Sequence, residues 1–450
     1  MDLNKHVDFS NKELWHLILP LILEQFLSVA VGLADSMMVA QVGDSAVSGV
    51  SLVDSISVLM QYIFSAMAAG GVAVCCQYLG RQDSKLSKKA GHHLVLLMTV
   101  VSVVITALLY IFSNLIITKL FGSIDADVMD ATRKYYMIVM ASVPAIAIYN
   151  AGAGIFRAME KTSVTLNISL IMNGINVAGN AFLIFALKYG VEGVAIPTLV
   201  SRWVAAILAV VLLFNKKYIL NLRDIWHFKL EKRILKNIFT FSVPSGVENG
   251  MFQLGKIILF SFISTMGTAS ITANAIGGTM ASFHVIPGNA INLAMATVVG
   301  QCVGAGAFDK AKFYFRKLLK WVYIISAIWI TLIIIFTPTI LKIYNVSEEA
   351  TRLAYIVCML HAVNGIIIWP MGFVMPTFLR SAGDTTFTMI ASALSMWFVR
   401  VVAGIVLAKV FGLGVVGVWI AHTILDWIVR SIIFFVRYKK NKWMTKAIKQ

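Results

Sequence analysis

The chain alternates long apolar runs with short polar breaks from one end to the other. A membrane-crossing helix needs about 20 predominantly apolar residues. Twelve runs meet that length, near 14–41, 47–79, 91–118, 133–156, 163–187, 193–214, 238–266, 270–302, 319–341, 353–379, 387–410 and 415–437. Several exceed the minimum, so tilted or bent helices are expected. The first run is too long for the apolar core of a cleaved signal peptide, and no small-residue cleavage site follows it. It is expected to stay in the mature chain. The pattern predicts an all-α membrane protein with twelve transmembrane helices.

Composition agrees with the pattern. Of 450 residues, 59% are hydrophobic and 13% are charged, against roughly a quarter charged in soluble domains. The net charge of +17 would suit a nucleic-acid partner if it were clustered, and its distribution argues otherwise. Twelve spans put both termini on one side. The loops on that side carry 27 of the 38 Lys and Arg residues, the opposite side carries seven, and four lie within spans. Basic excess marks the cytoplasmic face, so both termini are expected in the cytoplasm and the protein in the plasma (inner) membrane. Attraction to anionic lipid accounts for the charge, with no nucleic acid required. The four cysteines, Cys75, Cys76, Cys302 and Cys358, lie in apolar runs without zinc spacing or a disulfide framework. They are read as packing residues.

The sequence also repeats at an offset of 224. Pro20 and Glu24 answer to Pro244 and Glu248, Gly43 to Gly267, Gln77 to Gln301, Gly80 to Gly304, and Trp203 to Trp427. "GVEGVAI" (190–196) matches "GVVGVWI" (414–420), and "RAMEKT" (157–162) matches "RSAGDT" (380–385) with a slip of one. A constant offset over most of both halves indicates internal duplication. Two pseudo-symmetric six-helix bundles follow, one over 1–225 with the start of a basic cytoplasmic linker and one over 226–450. Six spans per half give both halves one orientation, related by an axis along the membrane normal. Such bundles suit a transporter that rocks about a central cavity. A duplicated scaffold without transport is the alternative.

Several stretches resemble the multidrug and toxic compound extrusion (MATE) family of secondary transporters. In the first half they are "PLILEQFLSVAVGLADSMMVAQVG", "QYLGRQDSKLSKKA" and "RAMEKTSVTLNISLIMNGINVAGN". In the second they are "PSGVENGMFQLGK", "VVGQCVGAGAFDKAK", "LRSAGDTTF" and "GVVGVWIAHTILDW". Their order and spacing cover nearly the whole chain. The resemblance implies a twelve-helix, two-lobed fold. It also implies export of organic, often cationic compounds coupled to inward flow of protons or sodium ions.

Five acids fall inside the runs: Glu24, Asp35, Asp54, Glu248 and Asp426. An acid at a helix centre costs about 2.5–3.5 kcal/mol on insertion scales and survives where it faces protein or a water-filled cavity. Each is therefore either on an ion pathway or a structural anchor. Asp35 is the leading ion-coupling candidate. Glu24, Ser28, Gly32 and Asp35 step by 4, 4 and 3 along one stripe of the first helix. A carboxyl withdrawn from water takes up a proton more readily than one in bulk. The family's first-helix acid occupies a similar "AD" position and resembles its coupling-ion site. Asn173, Asn176 and Asn180 share one face of the fifth helix. They serve either as interhelical hydrogen-bond glue or as oxygen ligands for sodium. Thr198 lies at a position similar to the family's "AT" motif. In sodium-linked relatives the residue matching Asn180 resembles an aspartate. Here one negative charge is missing, which favours protons over sodium at Asp35, Asn176, Asn180 and Thr198.

Glu24 and Glu248 each follow a proline by four residues in matching places, and with Asp54 they are either ion-path or structural groups. Some family members carry a seventh-helix acid about two turns after the proline, where this chain has Phe252 and Gln253. Coupling is therefore expected mainly in the first half. Arg202 and Arg400 are read as structural, and Asp426 and Arg430, four apart, as a pair along the last helix. Lys256 either repels a cationic substrate or neutralises an acid. "WPMGFVMPTF" (369–378) places Trp369, Met371, Phe373 and Met375 between prolines. It is read as an adaptable substrate wall with aromatic faces for cations, or else as a lipid-facing or packed surface.

These features favour a cation-coupled antiporter of amphiphilic organic cations, without cofactor or bound metal beyond a proton or sodium ion, working as a monomer in the bilayer. A flippase for a lipid-linked saccharide is the alternative, although its cavity would favour basic groups for the pyrophosphate. An enzyme is disfavoured: no nucleophile elbow, metal spacing or paired catalytic carboxylates occur. "GAGAFDK" (304–310) lacks the spacing of a nucleotide-binding loop.

Overall fold

The computed structural model describes residues 7–120, 125–225 and 229–448. Lys5, Lys449 and Trp226, the expected start of the second lobe, lie outside these residues, as does the side chain of Lys119. Within them the chain forms helices and no strand. In the first half α1 is Asn11–Ala40, α2 Asp44–Gly80, α3 Ser84–Ile111, α4 Ala126–Ala158, α5 Thr162–Ala186 and α6 Glu192–Leu213. In the second half α7 is Lys232–Ser264 and α9 is Phe308–Tyr344. Helix α8 runs in two pieces, Thr268–His284 and Ile286–Gly304, and α10 likewise, as Glu348–Ile367 and Trp369–Ser381. Thr385–Lys409 is α11 and Gly414–Lys439 is α12.

Among the described residues, 11 helices are long and apolar enough to cross a membrane. The exception is α7, whose apolar run is interrupted by Glu248, Asn249, Gln253 and Lys256. The breaks in α8 and α10 explain why the apolar runs 270–302 and 353–379 overshoot one span. Each break sits two residues before a proline, Pro287 or Pro370. A proline lacks the amide proton and crowds the preceding turn, so the helix restarts there. A wide π turn ends α5 at Phe182–Ala186, and others interrupt α11 and α12 at Ser395–Val402 and Ala421–Asp426, a device frequent at functional sites.

The chain divides into two compact units, Trp15–Gly246 and Val247–Gln450 together with the residues before Trp15. The expected border at 225/226 differs from this one, which falls inside α7. The first half of α7 packs on α2. A Cβ at Gly246 would meet Met67 at 2.7 Å, and one at Gly70 would meet the Phe241 backbone oxygen at 2.5 Å. The N-terminal segment packs instead on α9, where the Phe9 amide donates to the Tyr314 hydroxyl at 2.7 Å.

The duplication is visible in the backbone. Gly43 and Gly267 precede α2 and α8 with φ of 125° and 93°, conformations that side chains disfavour. The chain therefore makes the same turn twice. Apolar side chains also point outward. Ile324, Ile328, Leu332, Ile335 and Phe336 form an exposed stripe along α9, as a lipid-facing helix requires.

The linker after α6 is fastened within the first unit. Lys88 and Lys89 of α3 pair with Asp224 and Glu231. His92 Nε2 lies 3.0 Å from the Asn221 carbonyl, and His93 Nε2 accepts from the Glu231 amide at 2.9 Å. These two histidines thus hold the linker.

The close approach at Gly70 gives a stability prediction. Gly70→Ala forces α2 away from the α7 backbone and should destabilise the protein by about 1–3 kcal/mol. Gly174→Ala in α5, where nothing lies within 4 Å of the new methyl, should be neutral or stabilising by up to about 1 kcal/mol. Thermal unfolding midpoints in one detergent compare them; equal midpoints would show that the α2–α7 contact is soft.

Candidate functional site

The stripe on α1 and the asparagine face of α5 meet in the first unit. Asn180 Nδ2 donates to Asp35 Oδ1 at 2.8 Å. Asn176 lies between Asp35 and Thr198. With its amide nitrogen turned to the acid it donates to Asp35 Oδ1 at 2.8 Å and Oδ2 at 3.0 Å, and its oxygen accepts from Thr198 Oγ1 at 3.2 Å. The reverse orientation keeps a single bond, Asn176 Nδ2 to Thr198 Oγ1 at 3.2 Å, and sets two acceptors face to face against a charged Asp35. Asn173 stands one turn away, donating to Ser169 Oγ at 3.3 Å. The structure therefore brings Asp35, Asn176, Asn180 and Thr198 together across α1, α5 and α6.

Asp35, Asn176 and Thr198 border a cavity of about 380 Å³, lined also by Ser28, Asp54, Tyr135 and Arg202. Asp54 of α2 faces the same space as Asp35, and its Oδ1 accepts from the Tyr135 hydroxyl of α4 at 3.1 Å. Arg202 of α6 donates through Nη1 to Ser57 at 3.1 Å and Ser142 at 2.8 Å. The cavity thus holds two carboxylates and one guanidinium. Arg202, expected to be structural, lines the cavity, and Tyr135, which no motif or spacing marks, reaches Asp54 there. The one available signal for Arg202 was its place in mid-span beside Trp203. Among the described residues no three His, Cys, Asp or Glu side chains are grouped to hold a metal ion, and all four cysteines are free and buried.

Glu24 lies apart from this cavity, as a buried anchor between α1, α4 and α5. Its Oε2 accepts from Thr165 Oγ1 at 2.9 Å, and its Oε1 is 3.9 Å from Arg157 Nη1. Glu248 repeats the arrangement in the second unit. Its Oε1 accepts from Arg380 Nη1 at 3.0 Å and from Ser392 Oγ at 2.6 Å. The arginines come from the matching "RAMEKT" and "RSAGDT" segments, so the duplicated motif is a proline–glutamate–arginine clasp made once in each unit.

The rest of the second unit departs from the first. Counting along the offset, Leu259 stands where the first half has Asp35, Lys256 where it has Gly32, Gly278 where it has Asp54, and Asp426 where it has Arg202. The expected Asp426–Arg430 pair along α12 is not formed. Asp426 accepts from Ser395 Oγ at 2.5 Å and faces Arg400 Nε at 3.4 Å. Arg430 instead turns towards Glu248 Oε1 at 3.9 Å and the Phe373 ring at 4.6 Å. Partners on neighbouring buried helices outcompete an exposed-type pairing along one helix.

Of the four wall residues, Phe373 lines a second cavity of about 100 Å³ with Glu248, Asn249, Phe252, Pro376, Arg380 and Arg430. Trp369 stacks behind Phe373, with ring centroids 5.3 Å apart, and packs on α8, where a Cβ at Gly288 would meet its ring at 2.2 Å. Met375 is buried in packing and Met371 is half-buried. The structure does not bring these four into one wall.

The sequence profile described as MatE matches residues 20–182 and again 244–406, one copy in each half. An uncharacterized transporter of Bacillus subtilis (strain 168), YisQ, is 27% identical over 447 residues, covering 97% of this chain and 95% of that protein. A probable multidrug resistance protein, NorM, of Thermotoga maritima is 23% identical over 454 residues, with 97% and 94% covered. Among solved structures, an outward-facing multidrug resistance MATE family transporter of the MOP superfamily superposes with a TM-score of 0.89 at 19% identity, over 97% of both chains.

Proposed function

The chain belongs to the MatE family, and from that premise we propose that it is an antiporter exporting amphiphilic organic cations by alternating access, driven by protons in preference to sodium. It lies in the plasma membrane with both termini in the cytoplasm and works as a monomer. The multidrug resistance name of the Thermotoga relative supports the cargo class. The observation that carries the reading is Asp35 in its cavity, with amide nitrogens of Asn176 and Asn180 turned towards its carboxylate. Sodium is held by several oxygens at once, by the logic of hard cations. Each amide nitrogen that faces Asp35 withholds an oxygen from such an ion. A proton needs the carboxylate alone. Proton uptake cancels the charge that attracts a cationic substrate, so ion and cargo compete for one group.

The test is efflux of a fluorescent organic cation from proteoliposomes at fixed internal pH. An inward proton gradient without sodium should drive export, and an inward sodium gradient at equal pH should not. Strict sodium dependence would overturn the proton assignment. Lack of export under either gradient would overturn the cargo.

A further inference from the structure

The second cavity, in the unit that lacks a counterpart of Asp35, holds an unusual pair of atoms. Glu248 and Arg430 are 5% and 4% exposed, and both line it. Glu248 Oε1 is occupied by Arg380 and Ser392, but Oε2 has no hydrogen-bond partner among the described residues. Arg430 Nε reaches the Gly372 carbonyl at 3.5 Å, while Nη1 has no acceptor among the described residues. One small cavity therefore carries a buried anionic acceptor and a buried cationic donor side by side, each with an unused valence. A buried charged group left without its hydrogen bonds is costly, and a ligand that satisfies both carries a donor for Glu248 and an acceptor for Arg430.

The surroundings favour an anionic acceptor. Lys256, Arg400 and Arg430 lie 5.3, 4.7 and 5.9 Å from the one Phe252 ring. With Arg380 they make four cations near two carboxylates, Glu248 and Asp426. Cation–π contact adds about 0.5–2 kcal/mol each but removes no charge, so the cluster stays net positive. Phe252 and Phe373 flank the same space, edge to face with centroids 6.5 Å apart, and offer apolar cover for a ring.

We propose that this cavity binds an aromatic amino-carboxylate zwitterion, with its carboxylate on Arg430, its ammonium on Glu248 and its ring against Phe252 and Phe373. Glu248 and Arg430 are close neighbours, with 3.9 Å between Glu248 Oε1 and Arg430 Nη2, so one small molecule with both charges on adjoining groups reaches both side chains. The proposal extends the cargo of the export reading and rests on that reading for its physiological meaning; the binding event itself requires no ion gradient.

The test is equilibrium binding of radiolabelled L-phenylalanine to the full chain in nanodiscs of phosphatidylcholine, with phenylalaninamide and 3-phenylpropionate as competitors. L-phenylalanine should bind, and each competitor, lacking one charge, should bind about tenfold or more weakly. Arg430→Gln should lower L-phenylalanine affinity about tenfold or more. Glu248→Gln should do the same for L-phenylalanine yet tighten 3-phenylpropionate several-fold, because the negative charge facing the anion is gone. A gain of that kind cannot arise from misfolding, so the proposal stays testable if Arg430→Gln is unstable. Asp35→Asn should leave L-phenylalanine binding in place. No binding to the unmodified protein, equal affinity for phenylalaninamide, or no tightening of 3-phenylpropionate by Glu248→Gln would each overturn the proposal. Loss of organic-cation export with this binding intact would instead count against the export reading alone.

Discussion

Asp35→Asn is expected to bring gradient-driven export of an organic cation down to the level of protein-free liposomes, with the protein still folded in the membrane. The substituted amide is nearly the same size as the acid and can still accept from Asn180 Nδ2, now 2.8 Å away. Interhelical bonds of this kind contribute only about 0.6–2 kcal/mol in membranes, so α1 should stay docked on α5. What disappears is the alternation between a charged and a neutral state. Without it, binding of the driving ion no longer changes the affinity for cargo, and coupling between the two requires such a difference. Asp54 does not substitute, because it is tied to Tyr135 and lacks, among the described residues, the amide partners that Asp35 has in Asn176 and Asn180. The measurement is efflux under an imposed gradient, beside the thermal unfolding midpoint of the same preparation. Normal efflux from the variant would remove Asp35 from the mechanism.

Asp426→Ala is expected to destabilise the protein by about 3–5 kcal/mol, the largest single loss foreseen outside the transport reaction. Asp426 and Arg400 are 0% and 1% exposed. Removing the acid leaves a guanidinium in a low-dielectric interior, beside the Phe252 ring at 4.7 Å and Met396 Sδ at 3.8 Å. It also takes the acceptor from Ser395. Replacing both partners tests whether the charge itself is responsible. Asp426→Leu with Arg400→Met keeps volume and removes both charges, and it should recover most of the loss, since well-packed apolar pairs often equal buried ion pairs. Thermal midpoints of the single and double variants decide. A double variant as unstable as the single one would mean that packing at the π turn, and not charge, holds this region.

The helices were legible because apolar length is the dominant signal in a membrane chain. The breaks at Val285 and Ile368 were foreshadowed only by runs too long for one span. The site was legible where its residues lie on one stripe of one helix. Ser28 and Asp35 on α1, and Asn176 and Asn180 on α5, follow from helical spacing alone. Thr198 came from its likeness to a family motif. Groups that meet across helices were not legible. Nothing in the order of residues says that Tyr135 reaches Asp54, or that Asp426 prefers Arg400 to Arg430 one turn along its own helix. The border between units was hidden for a similar reason. A linker rich in lysine looks like a divide, yet α3 binds it, and contacts at Gly70 and Gly246 carry the first unit on into α7.

The opposite charge balance of the two cavities, two acids with one arginine against one acid with two arginines, has an electrical meaning. A monovalent cation leaving in exchange for one entering proton moves no net charge, so only the pH difference drives it. A zwitterion leaving for the same proton carries none, and each cycle then brings one positive charge inward. Such a cycle gains about 2.3 kcal/mol for every 100 mV of membrane potential. With acids in excess in one cavity and arginines in the other, the chain would make the voltage sensitivity of export a property of the cargo rather than of the protein.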